Sequence, residues 1–203
     1  MSINIVMGPM YSGKTSTLMQ EYIKNNSTNK IILDYDICSR NEQQTKEVYI
    51  SSMQTHDGII APKVYKLKNL RDLYDKNNYM LFSYDLLDYY HMMFNTCEHI
   101  YINEAQFFED LKNFVLNMVS YNKTVYIYGL DADYKQEKIG YIWDLIPYAS
   151  IVKKLKGRCN RCYNMSIISN RTCKEKKVYL PDADSYIPLC LKCYSQEKNI
   201  FNS

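Results

Sequence analysis

Gly8-Pro9-Met10-Tyr11-Ser12-Gly13-Lys14-Thr15 satisfies the pattern G-x-x-x-x-G-K-[ST] at every fixed position. The stretch follows an apolar run at residues 3–7 and precedes Leu18, Met19, Tyr22 and Ile23 at helical spacing. A glycine-opened loop between a strand and a helix turns backbone N–H groups inward toward an anion, and the helix adds the positive end of its dipole. In that arrangement residues Gly8 to Gly13 cradle phosphate oxygens, Lys14 reaches the outer phosphates of ATP, and Thr15 ligates Mg2+.

Outward from the loop, the chain reads as an α/β fold: a mostly parallel sheet flanked by helices, of the phosphate-loop (P-loop) NTPase type. Residues 30–33 supply a second strand. Residues 34–54 read as polar and irregular, with Asp34, Asp36, Cys38 and Arg40 near that strand's carboxyl end, where open α/β sheets bind ligands. Thr55-His56-Asp57-Gly58 reads as a turn. The pattern then predicts a helix over 69–77, a strand over 79–84, and a helix over 85–94 capped by Asp85.

Residues 98–102 form a strand that runs directly into Asn103-Glu104-Ala105-Gln106-Phe107-Phe108. Phosphoryl transfer needs oxygen-bearing side chains at such a strand end, to orient a metal and to accept a proton. A helix carrying Leu111, Phe114, Val115 and Met118 and a strand over 124–128 ending in Gly129-Leu130-Asp131 complete the first domain, set at residues 1–150, and a last strand over 151–155 follows.

The chain has 203 residues, 46% of them hydrophobic, enough for one domain and a small appendage. A net charge of +3, shared among 25 basic and 22 acidic residues without a block of either sign, gives no footprint for nucleic acid. No stretch reaches the length of a membrane span, and the N-terminus enters the first strand with no room for a leader, so a cytoplasmic location is expected.

Four of the seven cysteines form two C-x-x-C pairs, Cys159 with Cys162 and Cys190 with Cys193. Each short turn places two thiolates on one side of an ion, and two turns complete a tetrahedron, so a structural Zn2+ is expected in a second domain at residues 151–203. Residues 163–189 then form an excursion clamped at its base. Cys38, Cys97 and Cys173 are left as free thiols.

The Gly-Pro-Met-x-Ser-Gly-Lys-Thr loop, the Thr-His-Asp turn, the Glu-Ala-Gln-Phe-Phe strand end, the Gly-Leu-Asp segment and the paired cysteines, in that order, resemble the type II thymidine kinases. The resemblance spans nearly the whole chain. It implies transfer of the γ-phosphoryl of ATP to the 5′-hydroxyl of deoxythymidine, under a zinc-held lasso, by a cytoplasmic homotetramer that binds neither nucleic acid nor membrane. By the same resemblance Glu104 is the general base, with Lys14 and Arg40 offsetting charge on the transferred group. Asn103 and Gln106 are counted on the nucleotide side. Phe107, Leu130 and Tyr134 line the thymine pocket, and Tyr186 is the lasso tyrosine.

Three departures stand out. Asn103 occupies the family's Asp position; in the family's Lys-x-x-x-Asp-x-Arg array Asp34 and Cys38 replace the first two groups and only Arg40 survives; and Pro181-Asp182 stands where the lasso has a glycine pair. Residues 79–96 also look longer than the family's equivalent. These departures raise a second reading, a nucleotide-binding paralogue without turnover that serves as a regulatory or assembly partner.

Overall fold

The computed structural model describes residues 1–36, 49–55, 58–73, 95–173 and 185–198. Strand β1 (Ser2–Met7) leads into the phosphate loop and helix α1 (Lys14–Lys24), and β2 (Lys30–Tyr35) follows. Next come β3 (Tyr49–Gln54), β4 (Ile60–Leu67), β5 (His99–Asn103), helix α2 (Leu111–Ser120), β6 (Thr124–Gly129) and β7 (Ile151–Lys154). They form one seven-stranded sheet in the order β3-β4-β2-β5-β6-β1-β7, in which β3 alone runs antiparallel.

Alternation along the central strands explains why both faces are covered. Ile3, Ile5, Ile100, Ile102, Val125 and Ile127 pack with Phe114, Val115 and Met118 of α2 on one face. Val6, Tyr101 and Tyr128 point the other way, onto Leu18 and Met19 of α1. The register sets the site: Met7 pairs with Gly129, and Asp34 with Asn103, so the carboxyl ends of β1, β6, β5 and β2 lie side by side.

Strands β3 and β4 replace the irregular segment expected before residue 54 and the unassigned stretch after residue 58. Lysines and Pro62 interrupt the apolar run of β4, so it does not read as a buried strand. The β3–β4 register shifts between Ser51 and Met53, opposite Pro62, whose missing N–H could not continue the ladder. The helix expected over 69–77 is, in its described part, a 3-10 turn at Leu70–Leu73. Asp110 caps its start, its carboxylate accepting from the Leu70 and Arg71 N–H groups at 3.2 and 2.7 Å, and residues 74–77 lie outside the described residues. The expected strand over 79–84 and helix over 85–94 lie outside the described residues.

After β7 come two small antiparallel pairs, β8 (Gly157–Arg158) with β9 (Met165–Ser166), and β10 (Ile168–Arg171) with β11 (Tyr186–Leu189), and then helix α3 (Leu191–Lys198). Because β7 hydrogen-bonds to β1, the main sheet reaches Lys154. No helix among the described residues is long and apolar enough to cross a membrane.

Candidate active site and metal centre

The phosphate loop closes onto α1 through Gly13, whose φ of +80° is the left-handed conformation glycine adopts without strain. No side chain caps α1 and no acidic residue stands in its first turn, so the helix's positive end faces the cleft. At Gly8 a side chain has no room, since a Cβ would lie 2.7 Å from the Leu155 carbonyl oxygen and 2.9 Å from Ser12 Oγ. Tyr11 also takes a left-handed backbone, φ 60°, which costs a non-glycine residue roughly 1–2 kcal/mol.

Lys14 Nζ donates to the Pro9 carbonyl at 2.8 Å. Burial lowers its pKa below the usual lysine value, and the charges of Glu104 and Asp131 work in the opposite direction. The cleft in front of the loop holds about 180 Å3 and is lined by Lys14, Thr15, Glu104 and Leu130, and by Gln54 and Thr55. Sequence reading passes over Gln54 and takes Thr55 only as a turn residue, because β3, which delivers both, was not recognised. Thr55 is fixed by a closed turn, in which its N–H donates to the Ile59 carbonyl at 2.9 Å and its Oγ1 accepts from the Ile59 N–H at 3.0 Å. The helix end without a side-chain cap and the half-buried Lys14 form a donor set that fits a polyphosphate.

Glu104 stands immediately after β5 with φ 48° and ψ 36°. This strained conformation aims its carboxylate into the cleft that Lys14 lines. Gln106 holds it there. The Gln106 Nε2 donates to Glu104 Oε2 at 2.7 Å, and its Oε1 accepts from the Leu130 N–H at 2.9 Å. A carboxylate on one side and an N–H on the other leave this buried amide one orientation. Gln106 therefore ties the end of β5 to the end of β6.

Beside Glu104, Asn103 Nδ2 donates to Asp34 Oδ1 at 2.9 Å, and Asp34 Oδ2 pairs with Lys66 of β4. Both Asn103 and Asp34 are buried. A carboxylate at position 103 would face another at 34, so the neutral amide and the buried acid fit each other. Asp131, at the end of β6, pairs with Lys154 at 2.7 Å.

A second, smaller cavity adjoins the first and shares Met10 and Leu130 with it; Tyr134, Tyr186, Ile139, Ser169, Ala132 and the buried Asp133 complete its walls. Arg171 supports two of those walls, with its guanidinium 3.7 Å from the Tyr134 ring centre and donating to the Tyr186 hydroxyl at 2.6 Å. Leu130, Tyr134 and Tyr186 are thus brought together. Phe107 is not among this cavity's walls; its ring tilts against Tyr35 at 5.2 Å. Arg40, Cys38 and the Pro181-Asp182 pair lie outside the described residues.

Cys159, Cys162, Cys190 and Cys193 place their four sulfurs within 4.8 Å of one another. A tetrahedral Zn2+ with bonds of about 2.3 Å requires sulfur separations of roughly 3.8 Å, so the set fits zinc with little adjustment. Without a cation the thiols cannot ionise together. Burial raises the Cys159 thiol, but N–H groups of Cys162, Cys190 and Arg161 outweigh it and pull the pKa down to about 6. Cys193 is pushed up to about 12, mainly by its hydrogen bond with Cys162 and by burial. A divalent cation removes that conflict. Cys97, raised to about 11 chiefly by burial, and exposed Cys173 are not part of the cluster.

A family model described as thymidine kinase matches residues 1–194. Among similar proteins, a thymidine kinase of Oryza sativa is 34% identical over 95% of this chain and 65% of its own length. A thymidine kinase of Amsacta moorei entomopoxvirus is 32% identical over 96% of this chain and 98% of its own. Thymidine kinase a of Arabidopsis thaliana is 32% identical over 95% of this chain and 74% of its own.

Two measurements check the chemistry of these clusters. Metal analysis of the purified chain is expected to give one zinc per chain, and Cys193→Ser to lower both zinc content and melting temperature. Asn103→Asp is expected to destabilise the fold by about 2 kcal/mol or more in urea unfolding, through two facing buried carboxylates. Adding Asp34→Asn should return most of that loss.

Proposed function

Because this chain belongs to the thymidine kinase family, we propose that it transfers the γ-phosphoryl group of ATP to the 5′-hydroxyl of deoxythymidine, giving deoxythymidine monophosphate. The observation that carries this reading is the pair of adjoining cavities: Lys14 and Glu104 line one, Tyr134 and Tyr186 the other, and Met10 and Leu130 belong to both. A phosphate donor in the first would lie beside Glu104; the second, about 10 Å3 in this structure, would have to widen to admit a nucleoside.

The roles follow from the chemistry. The phosphate loop N–H groups and Lys14 hold the donor's phosphates, and Glu104, positioned by Gln106, accepts the proton of the attacking hydroxyl. Arg40 adds positive charge toward the transferred group. Thr15 and Asn103 would hold Mg2+, which would supply positive charge to the donor's phosphates. Tyr134 and Tyr186, steadied by Arg171, offer flat faces to a pyrimidine, with Leu130 at its edge. Zn2+ at the four cysteines is structural, since four sulfur ligands leave no open position.

For the homotetramer we expect, the edge strand β7, whose outer side is unpaired among the described residues and exposes Ile151 and Val152, offers one contact surface. We place the protein in the cytoplasm. The reading of a partner protein without turnover is not favoured, because Lys14 and Glu104 share one cleft.

Incubation of the chain with ATP, Mg2+ and each deoxynucleoside in turn should yield the 5′-monophosphate from deoxythymidine, with Lys14→Ala as the blank. Product from none of them, despite ATP binding, would overturn the proposal. Glu104→Gln is expected to lower kcat roughly a hundredfold or more. Gln106→Leu is expected to lower kcat about tenfold while the KM for ATP changes by about twofold or less, since it removes a charge-assisted bond to Glu104 and no group that touches phosphate.

A further inference from the structure

The phosphate loop does not hold its own shape. Tyr11 and Gly13 are both left-handed, and a strained backbone of this kind persists only where its surroundings over-determine it. Lys14 and the end of β6 supply part of those surroundings, through the Lys14–Pro9 bond and the Gly8 N–H donating to the Gly129 carbonyl, and the cysteine-held module supplies another part. The Met10 N–H donates to Ser169 Oγ at 2.8 Å, across 159 positions of sequence. Ser169 lies on β10, and its partner strand β11 runs straight into Cys190.

A second contact comes from β8, two residues before Cys159. Gly157 lies so close to the loop that a Cβ there would stand 2.9 Å from the Tyr11 carbonyl oxygen and 2.7 Å from Ser166 Oγ. Between β7 and β8, Leu155 donates its N–H to the Met7 carbonyl at 2.7 Å and sets its own carbonyl against Gly8. The loop is therefore gripped at Gly8, Met10 and Tyr11 by the segment that enters and leaves the cysteine cluster.

We propose that Ser169, with Gly157 beside it, is a positioning residue for nucleotide binding: the cysteine-held module sets the phosphate loop in its anion-receiving shape before the nucleotide arrives. With the Met10 N–H taken up by Ser169 Oγ, that group cannot form a competing turn within the loop, and the backbone around Met10 is fixed before an anion binds. The module thereby acts on the donor site as well as walling the second cavity, where Ser169 and Met10 also meet. This inference rests on the reading of the loop as an ATP site.

The test is direct binding of a fluorescent ATP analogue to the full, zinc-loaded chain, with zinc content and circular dichroism measured on every variant. Ser169→Ala is expected to raise Kd about fivefold or more, the size of one lost hydrogen bond, with zinc retained. Ser169→Thr keeps the hydroxyl and should stay within about twofold of the parent. Gly157→Ala, on a different strand, should also raise Kd. Parent-like binding by both Ser169→Ala and Gly157→Ala would overturn the inference, as would equal weakening by Thr and Ala at position 169. A parent chain that binds no ATP analogue would instead overturn the nucleotide reading, and this inference with it.

Discussion

A site that grips phosphate with backbone N–H groups has to leave those groups unsatisfied by the protein itself. Everything near residues 8–15 follows from that constraint. A free peptide of this sequence would turn its N–H groups toward its own carbonyls or toward water. Here β1 is locked between β6 and β7, α1 begins at a left-handed glycine without a side-chain cap, and Leu155, Gly157 and Ser169 brace the outer side of the loop. Rigid elements on three sides hold open what local energetics would close.

The same cost of burying uncompensated charge shapes the strand ends beside the loop. Asp34, Asn103 and Lys66 form one neutralised group, in which the acid accepts from an amide on one oxygen and pairs with an ammonium on the other. The departures at 34 and 103, unrelated when read along the chain, are neighbours in register and form one exchange of charge. Glu104, one residue further, escapes this neutralisation because its left-handed backbone turns it away, toward Gln106 and the cleft.

Much of this was legible in the sequence because it is local. The motif at residues 8–15, the two C-x-x-C turns and the apolar runs of β1, β5 and β6 each state their geometry within a few residues. What the sequence concealed is non-local. Strand β4 has lysines and a proline where a parallel strand ordinarily has an apolar run, and only its pairing with β2 and β3 reveals it. The turn begun at residue 70 is capped by Asp110, far along the chain. Gln106 was placed with the nucleotide, yet its contacts are Glu104 and Leu130, which meet only because β5 and β6 are adjacent.

The cysteine module shows how far a small element's influence can reach. Its buried cluster consists of Ile168, Leu189 and Tyr194 together with Cys159, Cys190 and Cys193, so half of it is cysteine. Three buried apolar side chains, with Ile167 and Ile187 packed beside them, make a small core, and a metal held by the four cysteines would add on the order of 10 kcal/mol. Arg161 and Asn170 then fasten the module's first turn and β10 to Glu197 of α3, at 2.6 and 3.0 Å. Loss of the metal would therefore loosen β10, and with it Ser169 at the phosphate loop and Arg171 behind Tyr134 and Tyr186. A centre that does no chemistry of its own in this way conditions both cavities in which the chemistry would occur.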